Sequence, residues 1–171
     1  FQSEVAYVAE AGYRAQPTKA ISYSITGFYD FYDKLRSGKP APAVVQNRMQ
    51  GSTFGIEGWG TWQATPDWRL SAGFVAMHEN LRVEADSLDP TGPSALGNDP
   101  KFQWMLRSSF NLAKNADFDV TLRHVGTLPD PLVAAYTAVD ARIGWRVRPD
   151  LALSPARQNL TDPHTTEFGA A

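Results

Sequence analysis

The 171 residues predict an all-β fold, an antiparallel up-and-down meander of about eight long strands. Three features carry that prediction. Apolar side chains recur at every second position over stretches of about 9 to 14 residues, a period that belongs to strands and not to helices. The stretches are joined alternately by tight clusters of turn formers and by longer segments. Aromatic residues gather near both ends of the stretches.

The first strand, over 4–15, puts Val5, Tyr7, Ala9, Ala11 and Tyr13 on one face and Glu4, Glu10, Gly12 and Arg14 on the other. The second, over 20–33, sets Ile21, Tyr23, Ile25, Gly27, Tyr29 and Phe31 opposite Ser22, Ser24, Thr26 and Asp30. In the stretch EGWGTWQATPDWRLSAGF two arms flank Thr65-Pro66-Asp67. Phe54, Ile56, Gly58, Gly60 and Trp62 oppose Thr53, Glu57, Thr61 and Gln63, with Trp59 an exception on the polar side. Leu70, Ala72, Phe74 and Ala76 then oppose Arg69, Ser71, Gly73 and Glu79. Phe102, Trp104, Leu106, Phe110 and Leu112 oppose Gln103, Arg107 and Asn111, and Phe118, Val120 and Leu122 oppose Asp119, Thr121 and Arg123. Val139, Ala141, Ile143, Trp145 and Val147 oppose Asp140, Arg142 and Arg146. Over 151–160 the pattern weakens: Leu151 and Leu153 fit, but Pro155 has no N–H for a ladder and suits an edge or a bulge.

Short connections fall at 16–19, 65–67, 114–117 and 148–150, and long ones at 35–50, 81–101 and 126–135. Tight turns on one side and long loops on the other are the arrangement of a transmembrane β-barrel wall. Tyr13, Trp62, Trp68, Phe110, Phe118 and Trp145 lie toward the short turns, and Tyr29, Phe31, Phe74, Phe102, Trp104 and Tyr136 toward the long loops. Two such bands suit two headgroup layers. Alternation by itself does not tell an outward apolar face from an inward one. A water-soluble sandwich or small barrel binding an apolar ligand is the second reading.

Composition excludes several classes. Sixteen Lys and Arg against 18 Asp and Glu give a net charge of −2, which offers nucleic acid no basic patch. Without cysteine there are no disulfides, thiolate metal sites or Cys nucleophiles. No run approaches the roughly 18 apolar residues of a spanning helix. A start at Phe1-Gln2-Ser3-Glu4, without Met or a signal peptide, reads as a processed chain or a fragment.

Several ordered segments resemble one family. Glu10-Ala11-Gly12-Tyr13-Arg14, Tyr32-Asp33-Lys34-Leu35-Arg36-Ser37 and GIEGWGTWQATPDWRLSAGF are similar to strands in the C-terminal barrel of TonB-dependent outer-membrane receptors. LRSSFNL, DVTLRHVGTLP, AYTAVDARIGWRVRPDLALS and QNLTDPHTTEFG resemble that family's closing segments, in the same order. The resemblance covers nearly all of 1–171 and implies a partial C-terminal barrel domain, without the TonB box, the plug or the last strand. Pro155 and Arg157 depart from the family's apolar alternation. Since such receptors close about 22 strands around a plug, the expected object is an open sector of a barrel.

What the resemblance implies for function is the wall of a receptor in a Gram-negative outer membrane, taking up a scarce solute such as a ferric siderophore. Its expected partners are outer-membrane lipid, the rest of the barrel and plug, a siderophore-type ligand and, indirectly, the TonB complex. The chain is expected not to be an enzyme, with no catalytic, cofactor or metal residues. His78, His124 and His164 have no ligand spacing. Ser108-Ser109 and Ser22/Ser24 have no triad partners, and Asn159-Leu160-Thr161 is a chance glycosylation triplet. Glu10 and Glu57 with Arg14, Arg69, Arg107, Arg123, Arg142 and Arg146 are assigned to the hydrated face, as cross-strand pairs or as the lining of a substrate path. The longest stretch without strand pattern, 78–99, is the candidate recognition loop.

Overall fold

Alternate placement of β-branched and aromatic residues favours extended backbone, and the turn formers supply local acceptors that reverse it. The Thr18 Oγ1 accepts the Ala20 and Ile21 N–H groups at 3.2 and 3.1 Å, and the Thr65 Oγ1 accepts the Asp67 N–H at 3.3 Å. The computed structural model describes residues 2–39, 44–95, 99–129 and 132–161. Its strands are β1 (Val5–Thr18), β2 (Ile21–Lys39), β3 (Val44–Thr65), β4 (Trp68–Val83), β5 (Phe102–Ala113), β6 (Ala116–Val125), β7 (Leu128–Pro129), β8 (Leu132–Val133), β9 (Tyr136–Arg148), β10 (Leu151–Leu153) and β11 (Ala156–Arg157). One antiparallel sheet runs in the order β1-β2-β3-β4-β5-β6-β9-β10, with β11 also on β9, while β7 and β8 form a small separate hairpin.

The sheet is open. Among the described residues β1 pairs with β2 alone, and β10 and β11 with β9 alone. Register carries each side-chain row across it. Trp62 opposes Ile21 and Leu70, Leu70 opposes Ser108, Ser108 opposes Val120, and Val120 opposes Ala141. One residue along, Thr61, Ser71, Arg107, Thr121 and Asp140 form a row on the other face. The apolar positions of successive strands thus merge into one continuous apolar face.

Among the described residues no second layer covers it. Trp62 is 48% exposed, Ile56 47% and Trp145 50%, and the only buried hydrophobic residues among those described are Met49, Val133 and Ala138. A soluble sandwich or a small closed barrel would pack these rings inward, so that reading does not describe this chain.

Two expectations change, and a third, the break at Pro155, holds. Most of 35–50, read as a long loop, is strand: β2 and β3 run on as a projecting hairpin past the sheet. Lys34 takes a left-handed φ of 59° where the β2–β3 register shifts, and this irregularity broke the period-two signal. Tyr136 opposes Val125 and lies on the polar face, because the phase of β9 is set by Val139, Ala141 and Ile143. The segment 151–160 is split around Pro155 into β10 and β11, as an edge proline requires.

Glycines in β3 admit neighbouring rings. A Cβ at Gly55 would stand 2.8 Å from the Phe28 ring and 2.9 Å from the Met77 Cα, besides meeting the Ala76 carbonyl oxygen. Gly55→Val must push β3 and β4 apart. It is expected to lower stability by roughly 1–3 kcal/mol, read as an earlier urea midpoint in detergent micelles; an unchanged midpoint would contradict this packing.

Candidate functional site: the polar face and the loop-end rim

The polar face holds its charges in cross-strand pairs. Asp119 on β6 is buried, and register sets it between Ser109 on β5 and Arg142 on β9. The Arg142 Nε donates to Asp119 Oδ2 at 2.8 Å and its Nη2 to the same oxygen at 2.6 Å, while Arg107 Nη2 lies 3.2 Å from it. Arg142 also pairs with Asp117 and donates to the Ser154 Oγ at 3.1 Å. Arg123 Nε lies 3.5 Å from Asp140 Oδ2, and its guanidinium sits over the Tyr136 ring at 5.8 Å. Asp119, 10% exposed, is the one buried charge of these pairs and is costly to leave alone, whereas the arginines are about a third to a half exposed and their other pairs are screened by water.

At the loop end, the projecting hairpin and the segment 84–95 are tied together. Arg48 Nη1 reaches Glu84 and Asp86, each at 3.1 Å, and the Glu84 N–H donates to the Arg48 carbonyl at 2.9 Å. Asp89 accepts the Gly38 N–H at 2.6 Å and, on its other oxygen, the Thr91 N–H at 2.9 Å and hydroxyl at 2.6 Å. The Thr91 hydroxyl first, and then the Gly38 N–H, hold the Asp89 carboxyl below the usual carboxylate range. Below this rim a cavity of about 740 Å³ opens on the polar face between Tyr32, Thr53 and Glu79, with Asp99 at the end of the loop.

The sequence-assigned charges separate under this geometry. Arg107, Arg123 and Arg142 enter ion pairs. Arg14 instead lies over the Trp59 ring at 5.7 Å. Glu10 and Glu57 occupy polar-face rows, opposite Phe28 and Thr26. Arg69 pairs in register with Gln63 and Ser109 on the same face, and Arg146 stands at the β9–β10 pairing.

His78 packs against Phe54 at 5.3 Å, and His124 stacks on Trp104 at 5.8 Å with its Nδ1 2.9 Å from the Thr137 Oγ1. Both belong to the loop-end ring band of the apolar face, and His164 lies outside the described residues. Ser22 bonds to Thr61 at 2.7 Å, and Ser108 accepts the Trp68 indole N–H at 3.0 Å. Both serines are thus cross-strand links. Asn159 donates its N–H to Asp140 at 2.9 Å, closing the β11 end onto β9. Sequence reasoning missed Asp117 because its partner Arg142 becomes visible only once the register is known, and Asp89 because its turn with Thr91 gains meaning only through the Gly38 N–H of the distant hairpin.

The fold is that of a sector of a TonB-dependent receptor barrel. The ferric yersiniabactin uptake receptor FyuA from Yersinia pestis matches with a TM-score of 0.74 at 15% identity, over 92% of this chain and 25% of the receptor. The ferric-catecholate import receptor Fiu from E. coli K12 matches with a TM-score of 0.69 at 16% identity, over 94% of this chain and 24% of the receptor. The copper transporter OprC matches with a TM-score of 0.72 at 13% identity, over 95% and 26%. This chain therefore spans about a quarter of the length of these receptors. No family model and no curated protein matches it in sequence.

Two outcomes follow. The Asp89 contribution is complete above the unfolded carboxylate pKa of about 3.9 and is lost as pH falls through the lower folded value. Protease nicking within 84–95 should therefore rise on acidification to that range and be high at every pH in Asp89→Ala. Acid-independent protection of the wild type would contradict the tie. Asp119→Ala leaves Arg107 without its ion pair and is expected to cost about 1–3 kcal/mol in micelles; a neutral result would show that the pairs are solvated.

Proposed function

We propose that residues 1–171 form part of the C-terminal barrel domain of an outer-membrane receptor that takes up a scarce solute, such as a ferric siderophore, across a Gram-negative outer membrane. The observation that carries this reading is the segregation of faces. One side of the sheet is apolar in register from β1 to β9, and the other pairs its charges across strands. Spanning strands need about 9–11 residues, and β1 to β6 and β9 have between 10 and 22. The apolar face meets lipid, with ring bands at Trp62, Trp68 and Trp145 on one side and Tyr29, Phe54 and Trp104 on the other. The polar face lines the lumen, and the hairpin and the 84–101 loop form the outer rim.

The sector supplies wall and rim. By analogy with the matched receptors, the remaining barrel, a plug and the TonB complex complete the transporter. Among the similar structures are a ferric-catecholate import receptor and a copper transporter, and a ferric siderophore is the substrate class this reading favours.

The absence of native cysteine makes single-cysteine labelling direct. In outer membranes, Thr61→Cys and Thr121→Cys should react with a hydrophilic maleimide in the lumen at least several-fold faster than Ile56→Cys and Leu106→Cys. Equal rates on the two faces would refute the membrane assignment. A receptor completed around this sector should accumulate a ferric siderophore only while the proton-motive force is maintained, and uptake that survives its collapse would refute energised transport.

A further inference from the structure

Of the five tryptophans, Trp62, Trp68, Trp104 and Trp145 lie in apolar-face rows. Trp59 projects from the polar face instead, and it is 47% exposed there. Its row runs Ser24, Trp59, Gly73, Met105, Arg123 across β2 to β6. Gly73 puts no side chain between Trp59 and Met105, which is itself 45% exposed. The two flanking strands stand two strand spacings apart, about 9.5 Å. A flat ring needs about 3.5–4 Å of clearance on each of its faces, so the gap admits one ring.

The floor is open: a Cβ at Gly73 would find its nearest neighbours at 3.6 Å (Gly58 carbonyl) and 3.9 Å (Trp59 Cβ). A cavity of about 460 Å³ surrounds the slot, with Glu57, Gln103 and Arg123, the last also paired with Asp140, among its polar groups and His124 at its margin. An indole and a thioether are both favourable walls for an aromatic ring. The Arg14 guanidinium, 5.7 Å from the Trp59 ring, holds the indole from the β1 side.

We propose that the Trp59–Gly73–Met105 slot is a subsite for a flat aromatic group of the transported solute, oriented by hydrogen bonds to Glu57, Gln103 or Arg123. The assignment rests on the uptake reading and narrows its substrate class to molecules bearing an aromatic ring. A slot one residue wide takes a ring and excludes a polypeptide backbone.

The test uses 2-naphthoate as the probe and cyclohexanecarboxylate as its non-aromatic control, with the chain in detergent micelles and tryptophan emission as the readout. The naphthoate signal should saturate. Gly73→Val, which fills the slot where a Cβ has room, should weaken binding at least tenfold while leaving the far-ultraviolet dichroism unchanged. Trp59→Phe should weaken it less, since a smaller ring remains. A non-saturating signal, a Gly73→Val variant that binds like the wild type, or equal competition by cyclohexanecarboxylate would overturn the proposal. Within the complete receptor, shielding of Trp59 by a protein segment that 2-naphthoate does not displace would overturn it as well. The labelling contrast between Thr61 and Ile56 does not depend on the slot, so failure here leaves the membrane reading standing.

Discussion

Register is the constraint on which the rest of the structure depends. Side chains in a strand alternate with period two, and a slip of one residue would turn every side chain of that strand to the opposite face. In this sheet the pairing from β1 to β9 keeps the phase through the middle of the strands, its register shifts falling near the turns and at the loop end. The row Trp62, Leu70, Ser108, Val120, Ala141 stays on one side, and Thr61, Ser71, Arg107, Thr121, Asp140 on the other. An apolar surface of this extent with no second layer among the described residues calls for an apolar neighbour, which on the proposed reading is lipid. Backbone groups inside such a solvent must be paired, which an antiparallel sheet achieves everywhere but at its edges.

The polar face follows from the same register. Because Asp119 stands opposite Arg142 on β9 and Ser109 on β5, with Arg107 two residues along β5 on the same face, one carboxylate receives donors from two neighbouring strands. Glycines in β3 do the complementary work, giving up side-chain volume so that Phe74 can lie over Gly58 and Phe28 over Gly55. Toward the loop end the strict phase relaxes. There the register shifts near Lys34, and side chains such as Arg48, Asp89 and Asn47 take over from the ladder in fixing the hairpin.

The amino-acid order revealed most of the sheet, since alternation survives wherever one face is apolar. The alternating portions of β1 to β6 and β9 are therefore legible directly, as is the break at Pro155. The extension of β2 and β3 is not, because 35–50 lies beyond the apolar face and its residues have no reason to alternate. Tyr136 was misplaced by grouping aromatic residues by distance from a loop; the phase of its own strand, already present in Val139 and Ala141, assigns it to the polar face. Ion pairs such as Arg142 with Asp117 are invisible to the sequence, because 25 residues separate them and only register brings them together. The slot at Gly73 shares that origin, since Trp59 and Met105 become neighbours across it only in the folded sheet.

The direction in which the two faces look is tested most directly by tryptophan quenching in vesicles containing lipids brominated along the acyl chain. A chain whose single tryptophan is Trp62 should be quenched by the brominated lipid and protected from aqueous iodide. One whose single tryptophan is Trp59 should show the reverse. Quenching of both by bromine to the same degree, or of Trp59 in preference to Trp62, would contradict the account.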